Sequence, residues 1–265
     1  MNAALTHIKL MLILCFCSVW ISAQCKADTS TTAVSANNYQ QLFTQTVNTA
    51  QLVALSQKLN LGETVRGQFV QSRQLKVLKK PLISQGQFIF DQTQGLIWQQ
   101  IKPFESLLIL KDKQLIQRDS QGRVQVSKAD ASASAAAMGD LLPNLVRAML
   151  GGDISGLSEN FELHFLSTDK LNVEKLSPEN FSPESLNTDG QWQLGLTPKD
   201  PLMKKAIANM VLEGGDTLQS LVLLSAAPSV SPQDMTRIDF NALSQGKLSE
   251  TELTQYAVAI EANKP

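Results

Sequence analysis

Past position 25 the chain contains no cysteine: Cys15, Cys17 and Cys25 are all that it has. An internal disulfide in the remainder is thereby excluded, and so is thiol redox chemistry; a chain of this size can bury a core large enough to do without cross-links. Histidine is as scarce, with His7 and His164 alone. A metal site with two histidines, a His-x-x-x-His helix or a relay with a choice of histidine base cannot be assembled beyond the N-terminus. His164 lies within Phe161-Glu162-Leu163-His164-Phe165 and reads as an exposed strand histidine on the face opposite its apolar neighbours. Phosphate-binding glycine loops, dinucleotide turns and nucleophile elbows are absent, and Gly151-Gly152 and Gly214-Gly215 read as helix-end and hairpin glycines. Carboxylates are numerous but scattered. The expectation is a protein with no catalytic residues, no metal and no cofactor.

Long apolar runs are also lacking. A polar stretch with Lys9 leads into the apolar run Leu10 to Ile21, which has 12 residues against the roughly 20 needed to span a bilayer as a helix. Short length, a preceding lysine and small residues after it describe a secretory signal. Cleavage fits after Ala23 or after Ala27, which makes residues 1–27 the signal peptide and the periplasm the expected destination. A rival reading takes Ser22-Ala23-Gln24-Cys25 as a lipidation site, but the residue before a lipidated cysteine should be small, and Gln24 is not.

Charge of one sign is lacking too. From Asp28 onward there are 24 acidic and 21 basic residues, a net of −3. Such a balance gives no basis for holding nucleic acid, which needs a concentrated cationic face, and no bulk attraction to membranes.

What the chain does have is periodicity. Residues 28–38 are Ser/Thr/Ala/Asn-rich and read as a flexible leader. From Tyr39, Leu42, Phe43, Val47, Leu52, Leu55 and Leu59 recur at roughly helical spacing up to Gly62, which predicts one amphipathic helix. The period then changes to two. Val65 to Phe69, Ser84 to Phe90, Gly95 to Ile101, Ser106 to Leu110, Gln114 to Arg118 and Arg123 to Ser127 read as short strands joined by tight turns, an antiparallel meander. Between Ala131 and Leu150 a wide apolar helical face returns, interrupted by Pro143 and closed by Gly151-Gly152. A second strand series follows at Phe161 to Leu166, Leu171 to Val173, Gln191 to Thr197, Ala206 to Glu213, Leu218 to Ser225 and Thr236 to Leu243. Lys247 to Pro265 reads as a short helix and tail. Residues 39–250 thus form one domain, mainly β in an α+β arrangement, with 251–265 as a C-terminal tail.

The strands carry large apolar groups at alternating positions: Phe69, Phe88, Phe90, Trp98, Leu107, Ile109, Trp192, Leu194, Ile238 and Phe240. Two readings are open. These residues fill an ordinary sandwich core, or they line the inside of one curved sheet that is lidded by Met138, Leu141, Leu142, Leu145 and Met149 and by the N-terminal helix.

The segments Gly67-Gln68-Phe69-Val70-Gln71, Pro81-Leu82-Ile83-Ser84-Gln85-Gly86-Gln87-Phe88, Leu96-Ile97-Trp98 and Lys102-Pro103-Phe104 resemble the periplasmic outer-membrane lipoprotein carrier family, LolA, in its divergent LolA-like branch. Trp192-Gln193-Leu194, Leu196-Thr197-Pro198 and Ile238-Asp239-Phe240 continue the likeness, which covers roughly residues 40 to 245 in order. The resemblance implies an incomplete antiparallel β-barrel covered by helices. Its apolar interior would take the acyl chains of a lipoprotein, or of another acylated envelope lipid, from an inner-membrane transporter and pass them to an outer-membrane acceptor. A soluble monomeric carrier is implied. One departure stands out: where carriers proper have an arginine in the turn before the tryptophan strand, this chain reads Asp91-Gln92-Thr93-Gln94, and a neutral amide at Gln92 cannot supply the charged planar fork that ties a lid shut.

Overall fold

A computed structural model describes residues 39–59, 62–111, 114–128, 145, 148–152, 154, 156–167, 191–205, 207–226 and 234–261. The signal sequence, the leader, Cys25, Met138, Leu141, Leu142, Pro143 and the strand expected at Leu171 to Val173 lie outside them.

Eleven strands form one antiparallel sheet. They are β1 (Thr64–Gln74), β2 (Leu82–Asp91), β3 (Gly95–Lys102), β4 (Ser106–Lys111), β5 (Gln114–Arg118), β6 (Val124–Lys128), β7 (Phe161–Ser167), β8 (Trp192–Pro198), β9 (Ile207–Gly214), β10 (Leu218–Ser225) and β11 (Met235–Gln245). Their order is β6-β5-β4-β3-β2-β1-β11-β10-β9-β8-β7. Each strand therefore pairs with its chain neighbour except at one seam, where β1 meets β11, with Phe69 opposite Phe240. The sheet is not closed: β6 and β7 are its free edges. This is the incomplete antiparallel barrel that the resemblance implied. The helices are α1 (Thr49–Leu59), α2 (Leu157–Asn160), α3 (Pro201–Lys204) and α4 (Glu250–Glu261).

Because side chains alternate across a strand, the register sorts every residue to one face. Phe88 stands opposite Trp98 and Phe90 opposite Leu96; Trp98 in turn faces Leu108, and Leu194 faces Leu212 and Phe165. These make the inner face, where one continuous apolar cluster runs from β4 to β7 and takes in Leu55 and Leu59 of α1, Leu145, Ala148 to Leu150, Ile154 and Leu157. Backbone at 148–151 is helical, in keeping with the apolar helix expected there. The hydroxyl of Ser56 in α1 donates to the carbonyl of Gly152, so the two covering segments touch.

On the outer face, Ile97, Ile109, Ile116 and Tyr256 form a second cluster. Tyr256 is fully buried, and its hydroxyl lies 3.1 Å from the carbonyl oxygens of Ile89 and Gly95. The short helix expected after Lys247 runs from Glu250 to Glu261 and docks on the sheet. Its start is a capping box: Ser249 N donates to Glu252 Oε2 at 2.7 Å and Glu252 N to Ser249 Oγ at 3.3 Å, satisfying two helix-end donors. Glu252 also accepts two bonds from the Arg66 guanidinium of β1, one of them at 2.7 Å to Nη2. These bonds hold the carboxyl down to about 2.

The single N-terminal helix expected from Tyr39 to Leu59 is two pieces. A 3-10 turn at Leu42–Thr44 lies against β7 and β8 on the outer face, where Leu42 and Phe43 cover Gly195. Asn48 then caps α1, its Oδ1 taking Gln51 N at 2.8 Å while Gln51 Oε1 takes Asn48 N at 2.9 Å. That reciprocal cap closes off the helix upstream, and the chain passes from the outer face to the inner one between Thr44 and Thr49.

Candidate functional site

Eight of the ten residues proposed to line the interior share the inner face: Phe69, Phe88, Phe90, Trp98, Trp192, Leu194, Ile238 and Phe240. Leu107 and Ile109 do not. Ile109 pairs with Ile97, one residue out of step with Trp98 opposite Leu108, which sends both side chains to the cluster beneath α4. The strand Leu107-Leu108-Ile109-Leu110 is apolar on both sides, so alternation carries no signal there about which side is inner.

At the centre is an aromatic array. Phe69 stacks on Trp98 with ring centroids 3.9 Å apart, Phe88 lies 5.9 Å from Trp98 and meets Phe240 edge-on at 5.6 Å, and Trp98 meets Phe240 at 6.5 Å. Phe69 belongs to β1 and Trp98 to β3, two strands away. The ring crosses β2 because the residue opposite it is Gly86: a Cβ there would come within 2.6 Å of Phe69 Cζ. Gly67 clears space for Phe88 in the same way, since its Cβ would come within 2.7 Å of that ring. The two glycines in the Gly67 and Gly86 motifs are therefore gaps that aromatic rings fill.

Among the described residues, two buried polar side chains lie on this face. Gln71 and Ser84 are cross-strand partners, both buried, and Gln71 Oε1 and Ser84 Oγ have no hydrogen-bond partner. Leaving such a group unpaired costs about 1–3 kcal/mol. Trp192 is different from Trp98: its indole N–H donates to Gly215 O at 2.7 Å and it is buried, whereas Trp98 is half-buried. Of the proposed lid, Leu145 and Met149 are buried against the inner cluster.

The outer face carries the charged network that sequence reasoning missed. Arg237 Nη1 donates to Glu213 Oε2 at 2.7 Å and Nε to Asp239 Oδ1 at 2.8 Å, and Ser220 Oγ donates to Glu213 at 2.9 Å. Burial alone would raise the Glu213 carboxyl; the bonds from Ser220 and Arg237 outweigh it and leave it below the ordinary range. Burial, with Glu213 nearby, pushes the Tyr39 hydroxyl upward. The signal was present in the strand spacing, as Arg237 and Asp239 are two apart and share a face.

His164 is also on the outer face, as expected, but it is not exposed. At 9% accessibility it is covered by the 3-10 turn: Nδ1 lies 2.8 Å from Gln45 O, and Phe43 meets its ring edge-on at 5.3 Å. It joins Thr197 and a backbone carbonyl rather than a carboxylate. Among the described residues no group of three His, Cys, Asp or Glu side chains is placed to hold a metal, and no helix is long and apolar enough to cross a membrane. Gln92 is exposed in the β2–β3 turn. The turn is tied instead by Asp91, which accepts from Thr64, Thr93 and Gln94.

The fold is an open antiparallel sheet with an apolar, helix-covered inner face. Residues 44–236 match the family described as outer membrane lipoprotein carrier protein LolA-like, and the chain belongs to that family, which is periplasmic. No curated protein matches it. Among solved structures it is similar to a LolA superfamily protein from Nitrosomonas europaea at 9% identity and TM-score 0.38, with 77% of this chain and 97% of that one covered. It is also similar to MucB in the MucA/MucB complex of Pseudomonas aeruginosa at 18% identity and TM-score 0.30, over 77% and 59%. A third likeness is to a DUF1329 family protein from Desulfovibrio piger, at 12% identity and TM-score 0.36, over 76% and 94%.

Proposed function

We propose that the protein is a non-enzymatic periplasmic carrier, exported by the signal at residues 1–27, whose inner face shelters the acyl chains of a lipoprotein on its way from the inner to the outer membrane. Membership of the LolA-like family and the gathering of Phe69, Phe88, Trp98 and Phe240 on one covered face support this reading. Each acyl CH₂ removed from water contributes about 0.8 kcal/mol. Binding then needs no chemistry, only displacement of α1 and the 145–157 segment and a competing apolar site for release. The unpaired Gln71 and Ser84 atoms beside the array suit the ester or amide groups that an acylated lipid carries at the head of its chains. An inner-membrane donor and an outer-membrane acceptor are the partners this implies; another acylated envelope lipid is the alternative cargo.

A second reading, a periplasmic interaction module with a packed core, is favoured by one observation. Phe69, Phe88 and Leu194 are at most 1% accessible, so the inner face is already filled by its own cover. Native mass spectrometry of protein isolated from the periplasm separates the two. Co-purified acylated lipid supports the carrier, and bare protein at every preparation supports the module. Leu145→Asp and Met149→Asp should lower lipid retention with the sheet still folded; cooperative loss of the sheet in both would mark the segment as permanent packing.

A further inference from the structure

The net charge of the chain conceals a local pole. The turns β1–β2 and β3–β4 lie at the same end of the sheet, since β1 and β3 run toward it and β2 and β4 away. Six large apolar side chains gather there in exposed positions: Val77, Leu78, Leu82, Ile83, Ile101 and Phe104. Val77, held out by a turn in which Leu78 N donates to Leu75 O, is 86% accessible. Pairing between β2 and β3 ends at Gln85 and Lys102, while β1 and β2 continue to Arg73 and Leu82, so the hairpin projects past its neighbour on that side. Between these apolar groups stand Lys76, Lys79, Lys80 and Lys102, all exposed, against one exposed carboxylate in the two turns, Glu105. The next acid, Asp234, is engaged by the backbone N–H of Lys76 at 2.7 Å.

Exposed apolar groups concentrated at one end of a soluble domain mark a docking surface. Interleaving with lysines selects the partner: aliphatic stems and apolar tips enter the interfacial region of a bilayer while ammonium groups remain among anionic headgroups. We propose that the β1–β2 hairpin and the β3–β4 turn dock this protein on the surface of an anionic lipid bilayer. The inference is independent of the carrier reading, because it concerns the end of the sheet and not its inner face.

Flotation of the full mature chain with phosphatidylcholine vesicles, and with vesicles containing phosphatidylglycerol as well, tests it. Expected is binding that needs phosphatidylglycerol and weakens with salt. Each lysine near such a surface is worth about fivefold in partitioning, so Lys79→Glu with Lys80→Glu should weaken binding by about 25-fold or more. Val77→Asp with Leu78→Asp should abolish it. All four positions are exposed, so circular dichroism should be unchanged. Binding that ignores headgroup charge, binding unaffected by either pair, or no vesicle binding at all overturns the proposal, as does capture by an acidic polypeptide such as polyglutamate without any by vesicles. Co-purified lipid, measured on the same variants, reports the carrier reading separately: tip variants that stop floating should keep their cargo.

Discussion

Replacing Gly86 with alanine tests the geometry of the aromatic array. Its φ is not in the left-handed region, so alanine meets no backbone strain, and the whole effect must come from contact. The new Cβ would lie 2.6 Å from Phe69 Cζ and 2.0 Å from the carbonyl oxygen of Gln99, both far inside van der Waals contact. The ring must leave Trp98, forfeiting about 0.5–1.5 kcal/mol of aromatic pairing, and the β3 backbone at Gln99 must shift, at a cost of about 1–3 kcal/mol for overpacking. The expected loss is about 2–4 kcal/mol, or roughly 4–16 °C in Tm for a domain of this size. Gly156→Ala, where nothing lies within 4 Å, serves as control and should change stability by less than about 0.5 kcal/mol. Urea unfolding followed by tryptophan fluorescence measures both. Adding Phe69→Leu to Gly86→Ala should recover part of the loss, because a shorter side chain clears the Cβ. Equal stability of wild type and Gly86→Ala, or strict additivity of the two substitutions, would refute the argument.

The remaining predictions concern charge, the C-terminal helix and the reporter tryptophan. Arg237→Ala leaves the Glu213 carboxylate buried without its cation and should cost about 3–5 kcal/mol at pH 7. In the wild type Glu213 lies below its ordinary range, so its contribution is present above that range and fades as pH falls. In the variant its pKa should rise, and denaturation curves at pH 7 and pH 4 should show the penalty shrinking in acid. Glu252→Gln should loosen α4 at a cost of about 1–2 kcal/mol; in the wild type this contribution is complete above the usual 4.5 and is lost as pH falls toward about 2, which hydrogen exchange at Tyr256 can follow. Titration with an acylated lipid should shift the fluorescence of Trp98 to the blue, and a Trp98→Phe variant, which keeps Trp192, should respond little, since that indole is already buried and bonded to Gly215. A full response from Trp98→Phe would place the ligand elsewhere.

Period alone decided most of the strands. Wherever one face is polar, as along Gln85-Gly86-Gln87-Phe88-Ile89-Phe90, alternation marks both the strand and its inner side, and Phe88 and Phe90 were assigned with no knowledge of their partners. The same rule is silent where both faces are apolar. Leu107 and Ile109 could be placed only by their register against Ile97 and Trp98, because pairing is a relation between segments that a single segment does not contain. Polar residues in apolar surroundings misled in the other direction. His164 reads as exposed from its own strand, and its burial comes from Phe43 and Gln45, more than a hundred residues earlier, crossing from one face of the sheet to the other. A short helix after Lys247 was legible, and Ser249 with Glu252 marks its start as a capping box, but where it docks depends on Arg66 and the outer face of β2 and β3. Local free energies of turn, cap and alternation are written along the chain. Which faces meet, and hence where the aromatic array and the basic, apolar tip lie, follows from long-range packing that no window of sequence holds.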